Sequence, residues 1–414
     1  MRNEAIVLAG GLGTRLRSAV ADLPKSMAPV VEKPFLEYTL DMLRKTGVTH
    51  VVLAVGYKHE AIVSHFGDTY QGMQLSYSVE HEPLGTGGAI AQSLNHCGSE
   101  AVWVLNGDTL FHADFEALRH THEANSADLT LALKPMRDSN RYGRVRIDED
   151  GKVLGFEEKQ AFDFGLINAG VYRLRKAALL DRISLKKFSF ETDFMEKKAS
   201  DFRGFGSIQD RYFLDIGIPE DYERAQWEFP NLERAQALKI NSDWTLFLDR
   251  DGVINVRIIG DYVKSPEEFE FTPLAPEAIA LLTQKFGRTV VVTNQQCIGK
   301  GVITWEDLHA IHAQMKTAIE SAGGQIDAIY AAPQLAEENN PMRKPGTGMG
   351  LQAQRDFPQI DFSRSVMIGD SPTDIEFGKA LGMTTVFIGD FENHGETEAD
   401  FCFDSLATAA QFLC

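Results

Sequence analysis

Cysteine is scarce in this 414-residue chain: only Cys97, Cys297, Cys402 and Cys414 occur, at spacings that fit neither a disulfide framework nor a Cys-based metal centre. A reducing compartment suits such usage. Long apolar runs are also missing, none approaching the ~20 residues that span a bilayer. The start MRNEAIVLAGG lacks the basic leader, apolar core and small-residue cleavage site of an export signal. The expectation is a soluble, cytoplasmic protein. Positive charge is in deficit, with 41 Lys and Arg against 59 Asp and Glu, a formal net charge of −18. That field repels polyanions, so neither nucleic acid nor an anionic membrane is an expected partner. A small phosphorylated ligand remains compatible, because local Lys, Arg and a divalent cation can reverse the field inside a cleft.

What is present is a repeated alternation of short apolar runs and helical patterns. EAIVLA at 4–9, VVLAV at 51–55, QLSYSV at 74–79 and AVWVLN at 101–106 read as strands, with helices over 35–44, 59–66 and 86–95. After the polar stretch FPNLERAQALKINSD at 229–243 the rhythm restarts, with WTLFL at 244–248, TVVVTN at 289–294, AIYAA at 328–332, SVMIGD at 365–370 and TTVFIG at 384–389. The length exceeds one ordinary core, so two α/β domains are expected, 1–238 and 239–414. Alternation of this kind implies mainly parallel sheets with ligands at the strand C-terminal ends.

LAGGLGTRL at 8–16 is a strand breaking into a Gly-rich turn, where Gly10, Gly11 and Gly13 let backbone amides approach phosphates. Such a turn alone serves equally as a tight strand-to-helix connection. Arg15, and Lys25 in PKSMAPV, add fixed positive charge, and GxGTR followed by PK is far more restrictive. Further motifs follow: LGTGGA at 84–89, NGD at 106–108, YGRV at 142–145, EEK at 157–159, NAG at 168–170 and DIGIPEDY at 215–222.

In this order the motifs resemble the nucleotidyltransferases that make nucleoside-diphosphate sugars, over roughly residues 3–225. The resemblance implies a Rossmann-like domain with a GT-A-like mixed sheet. It assigns the nucleotide to Leu8, Gly10, Gly11, Gly13 and Thr14, the triphosphate to Arg15, and the reacting phosphates to Lys25. Gly85, Thr86 and Gly88 would line the base pocket, Asp108 and Asp215 would hold Mg²⁺, and Gly143, Glu158, Lys159 and Asn168 would contact the sugar phosphate. The chemistry agrees: attack of a sugar phosphate on the α-phosphorus of a nucleoside triphosphate brings anions together, so cations must neutralise and align them. EAIVLAGGLGTRLRSAVADLPKSMAPV, PFLEYTLDMLRKTG and HEPLGTGGAIAQSL look most like the D-glycero-D-manno-heptose 1-phosphate guanylyltransferases, with mannose-1-phosphate guanylyltransferases as neighbours. GTP as donor rests on that likeness alone.

In FLDRDGVIN at 247–255, Asp249 and Asp251 project from a strand end with one residue between them, a costly placement without a cation or a proton. TNQ at 293–295, RKPG at 343–346 and GDSPTD at 369–374 follow at later strand ends. Together these resemble the haloacid dehalogenase phosphatases over about residues 243–410. The resemblance makes Asp249 the nucleophile and Asp251 the acid and base, with Thr293 and Lys344 on the transferring phosphoryl group and Asn294 beside the substrate. Asp249, the Asp251 main-chain carbonyl and Asp370 would hold Mg²⁺, with Asp374 orienting Lys344 or the metal shell.

DRDGVIN, TNQ and RKP look specifically like the heptose 1,7-bisphosphate and histidinol-phosphate phosphatase branch. About 40 residues between Asp251 and Thr293 leave no room for a large cap. Arg343 is a candidate for the substrate's second phosphate or a solvated loop arginine. Many members of this branch carry a Cys/His zinc loop just before RKP, whereas AAPQLAEENNPM at 331–342 holds neither residue, so no zinc is expected. Cys297 reads as a loop thiol, and His309 and His312 as residues of a helix without a metal role.

Jointly the two resemblances imply successive steps to GDP-heptose from GTP and heptose phosphates. The alternatives are a mannose-1-phosphate guanylyltransferase fused to a histidinol-phosphate or other sugar-phosphate phosphatase, and a non-catalytic sugar-nucleotide sensor or scaffold. A homodimer rests on family analogy alone.

Overall fold

The computed structural model describes residues 3–11, 23–139, 142–157, 162–180, 187–197, 201–389 and 398–414. The chain divides into two compact units, Met1–Phe229 and Pro230–Cys414, and the division falls inside the helix Pro219–Gln236.

In the first unit, Glu4–Leu8 runs parallel to His50–Val55 on one side and to Ala101–Asn106 on the other, and Met73–Val79 extends the parallel set. Alternation along these strands feeds two cores. Ala5, Val7, Val51, Leu53, Trp103 and Leu105 pack on one face with Leu36, Leu40 and Leu43 from the helix Phe35–Lys45. Ile6, Val52, Val102 and Val104 pack on the other with Ile90 from the helix Gly85–Ser93. Strands buried on both faces read as continuous apolar runs, which is why Glu4–Leu8, His50–Val55 and Ala101–Asn106 are legible in the sequence. The mixed character of the ten-stranded sheet comes from long antiparallel strands. Phe162–Arg175 pairs with both Ala101–Asn106 and Leu129–Ser139, and its register shifts between Asn168 and Tyr172.

The second unit is a sheet of six parallel strands, in spatial order Ala328–Ala332, Arg288–Asn294, Thr245–Leu248, Ser365–Gly369, Thr384–Ile388 and Phe401–Phe403. The last strand is short and was not foreseen. Phe247, Val290, Val292 and Met367 fill one buried face with Phe377. Between Asp251 and Thr293 stand only a short 3₁₀ turn, Pro266–Glu268, and the helix Ala275–Thr283, so no cap domain is inserted there. Among the described residues no helix is long and apolar enough to cross a membrane.

Candidate active sites

In the first unit the parallel strands end together around a cavity of about 610 Å³. Its wall includes Leu8, Gly10, Gly11, Lys25, Gly85, Thr86 and Asp108, which the sequence reading had singled out. Gly10 must lack a side chain, because a Cβ there would stand 2.9 Å from Glu80 Oε1 and 3.3 Å from the Gly56 amide. Gly85 has φ +71°, and a Cβ would meet the Phe188 carbonyl oxygen at 2.5 Å. Thr86 is fixed by its hydroxyl, which donates to Glu191 at 2.7 Å and accepts from the Phe190 amide at 2.8 Å. Gly88 is buried within its helix, and Ala89 rather than Gly88 reaches the cavity wall.

Asp108 and Asp215 are brought together by a small antiparallel ladder, Thr109–Phe111 with Phe213–Asp215, in which Asp215 lies opposite Thr109. Between the two carboxylates sits Lys25, its Nζ 2.6 Å from Asp108 Oδ2 and 3.5 Å from Asp215 Oδ1. Burial, then the Asp108 charge, push the Asp215 carboxyl above its ordinary range, with Lys25 opposing. Asp215 Oδ1 is buried without a hydrogen-bond partner.

Asn168 lies at the register shift, donating to the Tyr172 hydroxyl at 2.8 Å and accepting from the Gly170 amide at 3.1 Å. A Cβ on Gly170 would meet Asn106 Nδ2 at 2.8 Å, so this bulge is packed against the strand that ends before Asp108. Gly143 packs on the Glu157 carbonyl, where a Cβ would approach to 2.7 Å, joining the YGRV and EEK segments. Gly13, Thr14, Arg15, Glu158 and Lys159 lie outside the described residues.

The reading had passed over Glu80, which lines the cavity and accepts from the Leu84 amide at 2.9 Å. Burial raises its pKa. An acid immediately ahead of a Gly-rich helix start was the available signal.

In the second unit, Asp249 and Asp370 follow, and Thr293 lies within, the C-terminal ends of adjacent parallel strands, and they line a cavity of about 560 Å³ with Asp251, Asn294, Arg343, Lys344 and Asp374. Lys344 is 2% exposed. Its Nζ donates to the Val292 carbonyl at 2.7 Å and stands 2.8 Å from Asp249 Oδ1 and 2.6 Å from Asp374 Oδ1. Asn294 fixes the lysine's backbone from both sides, donating to its carbonyl at 3.1 Å and accepting from its amide at 3.0 Å. Burial works against the ammonium, but the two carboxylates outweigh it and hold its pKa above the ordinary value. Asp374 uses its other oxygen to cap its own helix, Pro372–Leu381, accepting from the Ser371 amide and hydroxyl at 3.1 and 2.7 Å.

Burial, reinforced by Asp374 and Asp370, pushes the Asp249 carboxyl up to about 8 against the pull of Lys344. Asp370 is pushed up to about 6 by burial and then by Asp374, with Arg257 3.3 Å away opposing. Carboxylate oxygens of Asp249, Asp370 and Asp374 come within 4.8 Å of one another, a donor set of hard oxygens with excess negative charge. Such a cluster suits a divalent cation, which would favour ionised carboxylates.

Asp251 faces elsewhere. Its carboxylate receives Arg250 on both oxygens at 2.8 and 2.9 Å, Asn255 at 3.0 Å and Gln295 at 2.8 Å. Burial alone would raise its pKa, but Arg250 and these hydrogen bonds hold it low. Gln295 also donates to Thr293 Oγ1 at 2.9 Å, tying the two strand ends together. Arg250, Asn255 and Gln295 had not been singled out, although polar residues inside DRDGVIN and TNQ were the signal. Arg343 lines the cavity and donates to the Gln334 carbonyl at 3.2 Å. Cys297 is fully buried, its thiol 3.3 Å from Gln295 Oε1.

Comparison with known proteins follows this division. Residues 4–231 match the nucleotidyl transferase family model, and residues 341–409 match a HAD-hydrolase-like model. The D-glycero-alpha-D-manno-heptose 1-phosphate guanylyltransferase of Aneurinibacillus thermoaerophilus is 50% identical over 225 residues, 54% of this chain and 97% of that protein. The Campylobacter jejuni protein of the same name is 48% identical over 219 residues, 53% of this chain and 96% of its own length. The chain is also similar to the crystal structure of D,D-heptose 1,7-bisphosphate phosphatase from B. bronchiseptica complexed with magnesium and phosphate, at 31% identity, covering 41% of this chain and 97% of that one with a TM-score of 0.38. Through the match across more than half its length, the chain belongs to the nucleotidyl transferase family.

Proposed function

We propose that the chain is a bifunctional enzyme of GDP-heptose synthesis. The second unit removes the 7-phosphate of D-glycero-D-manno-heptose 1,7-bisphosphate, and the first transfers GMP from GTP to the resulting heptose 1-phosphate, releasing pyrophosphate. The observation that carries the two-activity reading is a pair of lysine-bridged carboxylate sites on one chain, Lys25 between Asp108 and Asp215 and Lys344 between Asp249 and Asp374. The guanylyltransferase half is further supported by relatives at 50% and 48% identity that are matched over nearly their whole length. The functional boundary is proposed near residue 238, just beyond the helix Pro219–Gln236.

In the transferase site, Gly10, Gly11 and Gly13 present backbone amides to the nucleotide phosphates and Arg15 pairs with the triphosphate. Lys25 neutralises the reacting phosphates while a sugar-phosphate oxygen attacks the α-phosphorus. Leu8, Thr14, Gly85 and Thr86 shape the nucleotide pocket with Ala89 in its wall, and Gly143, Glu158, Lys159 and Asn168 hold the sugar phosphate. Asp215 Oδ1, buried without a hydrogen bond and with Lys25 no nearer than 3.5 Å, fits a Mg²⁺ site together with Asp108.

In the phosphatase site, Asp249 attacks phosphorus while the leaving sugar oxygen takes a proton from Asp251; Asp251 then takes one from the water that hydrolyses the acyl phosphate. Lys344 and Thr293 hold the phosphoryl oxygens, Asn294 fixes the lysine's backbone, and Arg343 faces the second phosphate. Asp249 and Asp370, with the Asp251 main-chain carbonyl, would hold Mg²⁺, which neutralises the phosphoryl group when bound. Zinc has no part in this proposal, since residues 331–342 contain neither Cys nor His.

The test is mass spectrometry of products after incubation with each anomer of the bisphosphate, Mg²⁺ and equal amounts of four nucleoside triphosphates. GDP-heptose from one anomer is expected. Heptose 1-phosphate without a nucleotide sugar would remove the transferase half of the proposal, and untouched bisphosphate would remove the phosphatase half. A product carrying another base would remove GTP.

A further inference from the structure

The residue between the two aspartates of DRDG is the largest fully buried side chain among the described residues. Arg250 is 1% exposed. A cation so placed must have its donors matched or it would be strongly destabilising. Its Nη2 reaches both oxygens of Asp251, and its Nε stands 3.3 Å from Oδ1 of the same carboxylate. The remaining arm, Nη1, lies 3.3 Å from Nε2 of His312. A guanidinium can only donate, so His312 Nε2 must be the bare, accepting nitrogen and the ring's proton must sit on Nδ1. Burial, followed by the Arg250 charge, holds the His312 pKa down to about 3, which keeps the ring an acceptor at neutral pH.

His312 belongs to the helix Trp305–Ser321, whose other buried positions are Leu308, Ile311, Met315 and Ile319. At this position of an otherwise apolar buried face, the imidazole meets Arg250. The resulting chain of contacts ends at a carboxylate with donors from Arg250, Asn255 and Gln295, all of which favour its ionised form.

We propose that His312 is a positioning residue of the phosphatase reaction: by holding the third arm of Arg250 it aims the guanidinium at Asp251 and fixes where that carboxylate stands in the site. The inference rests on the phosphatase reading above. The step it serves is the second one. A water oxygen bonds to phosphorus, the bond from phosphorus to the Asp249 oxygen breaks and returns the carboxylate, inorganic phosphate leaves, and the water's proton passes to Asp251. That proton is the one Asp251 delivers to the sugar oxygen in the next turnover, so the cycle balances.

The experiment uses full-length protein with Mg²⁺ and p-nitrophenyl phosphate, whose leaving group departs without a proton. His312→Leu removes the acceptor and keeps apolar bulk, and His312→Gln restores an accepting oxygen. The leucine variant is expected to release a first burst of nitrophenol equal to the enzyme present, then to turn over about tenfold more slowly than wild type, a modest share of what acid–base catalysis contributes. The glutamine variant is expected to recover most of that loss, and nucleotidyl transfer to stay unchanged in both. Wild-type turnover in His312→Leu would overturn the proposal, as would a burst that shrinks in step with turnover, the mark of a purely structural role. Absence of Mg²⁺-dependent phosphate release from the wild type would instead sink the phosphatase reading itself.

Discussion

The ammonium of Lys25 lies 2.6 Å from Asp108 Oδ2, although 83 residues separate the two in sequence. A turn after the first strand and the end of a later strand thus meet at one charge, with Asp215 completing the group from a third segment. Lys25→Ala should lower nucleotidyl transfer about 100-fold to 1,000-fold, the range for deleting one charge-stabilising donor. Phosphate release from the bisphosphate should be unchanged, and assaying both activities on one preparation checks it.

Asp249→Asn is expected to have the opposite signature. Loss of a nucleophile removes turnover by a factor on the order of 10⁴ or more, while transfer from supplied heptose 1-phosphate continues. In metal-free protein the same substitution should stabilise the fold near neutral pH. With a carboxyl raised to about 8 in the fold, against 3.8 in an unfolded chain, the protein loses stability as pH rises between those values, and asparagine does not titrate. Urea unfolding of both proteins in chelator reads the difference.

Gly252 has φ +91°, and a Cβ there would come 1.9 Å from Asp370 Oδ2. Gly252→Ala should therefore displace Asp370 and reduce phosphate release about 100-fold. The strained backbone should cost about 1–3 kcal/mol. Steady-state kinetics with a thermal melt separates displacement from unfolding, since the variant is expected to remain folded at 25 °C.

Acid sensitivity is expected from buried neutral histidines. Burial first, then neighbouring cations, lower His112 and His122 to about 4 and His312 to about 3, against 6.5 for a free imidazole. Below pH 6.5 the unfolded chain binds protons that the folded chain refuses, so stability falls as pH drops towards the folded pKa values. Each group contributes at most about 1.4 kcal/mol per pH unit. Compared at each pH from 7.5 down to 5, the urea midpoint of His122→Gln should move upwards relative to that of the wild type, whatever the carboxylates of the second unit do.

Legibility in the sequence followed burial. Strands such as Ala101–Asn106 and Ser365–Gly369 stand where their apolar runs predicted, because a strand covered on both faces declares itself by composition. Phe401–Phe403 escaped notice because three residues carry too little pattern. Asp249, Thr293, Lys344 and Asp370 could be read from motifs at strand ends, and they converge on one cavity. Glu80 and Arg250 stand beside or inside such motifs, yet their significance, like that of His312, is relational. A buried imidazole on an apolar helix face looks like any core position until the arginine beside it is seen. Long antiparallel strands such as Phe162–Arg175 were hidden by their mixed exposure, and the bulge that positions Asn168 has no signature beyond a glycine two residues later.

Asp374 spends one oxygen on starting its helix and the other on Lys344. Local folding and charge placement are therefore one event in the second unit. A chain whose helix end has frayed also leaves the lysine short of a counter-charge and the nucleophile poorly set. A nascent or damaged hydrolase half is in this sense chemically mute, and the cell is spared a loose phosphatase acting on whatever sugar phosphate it meets.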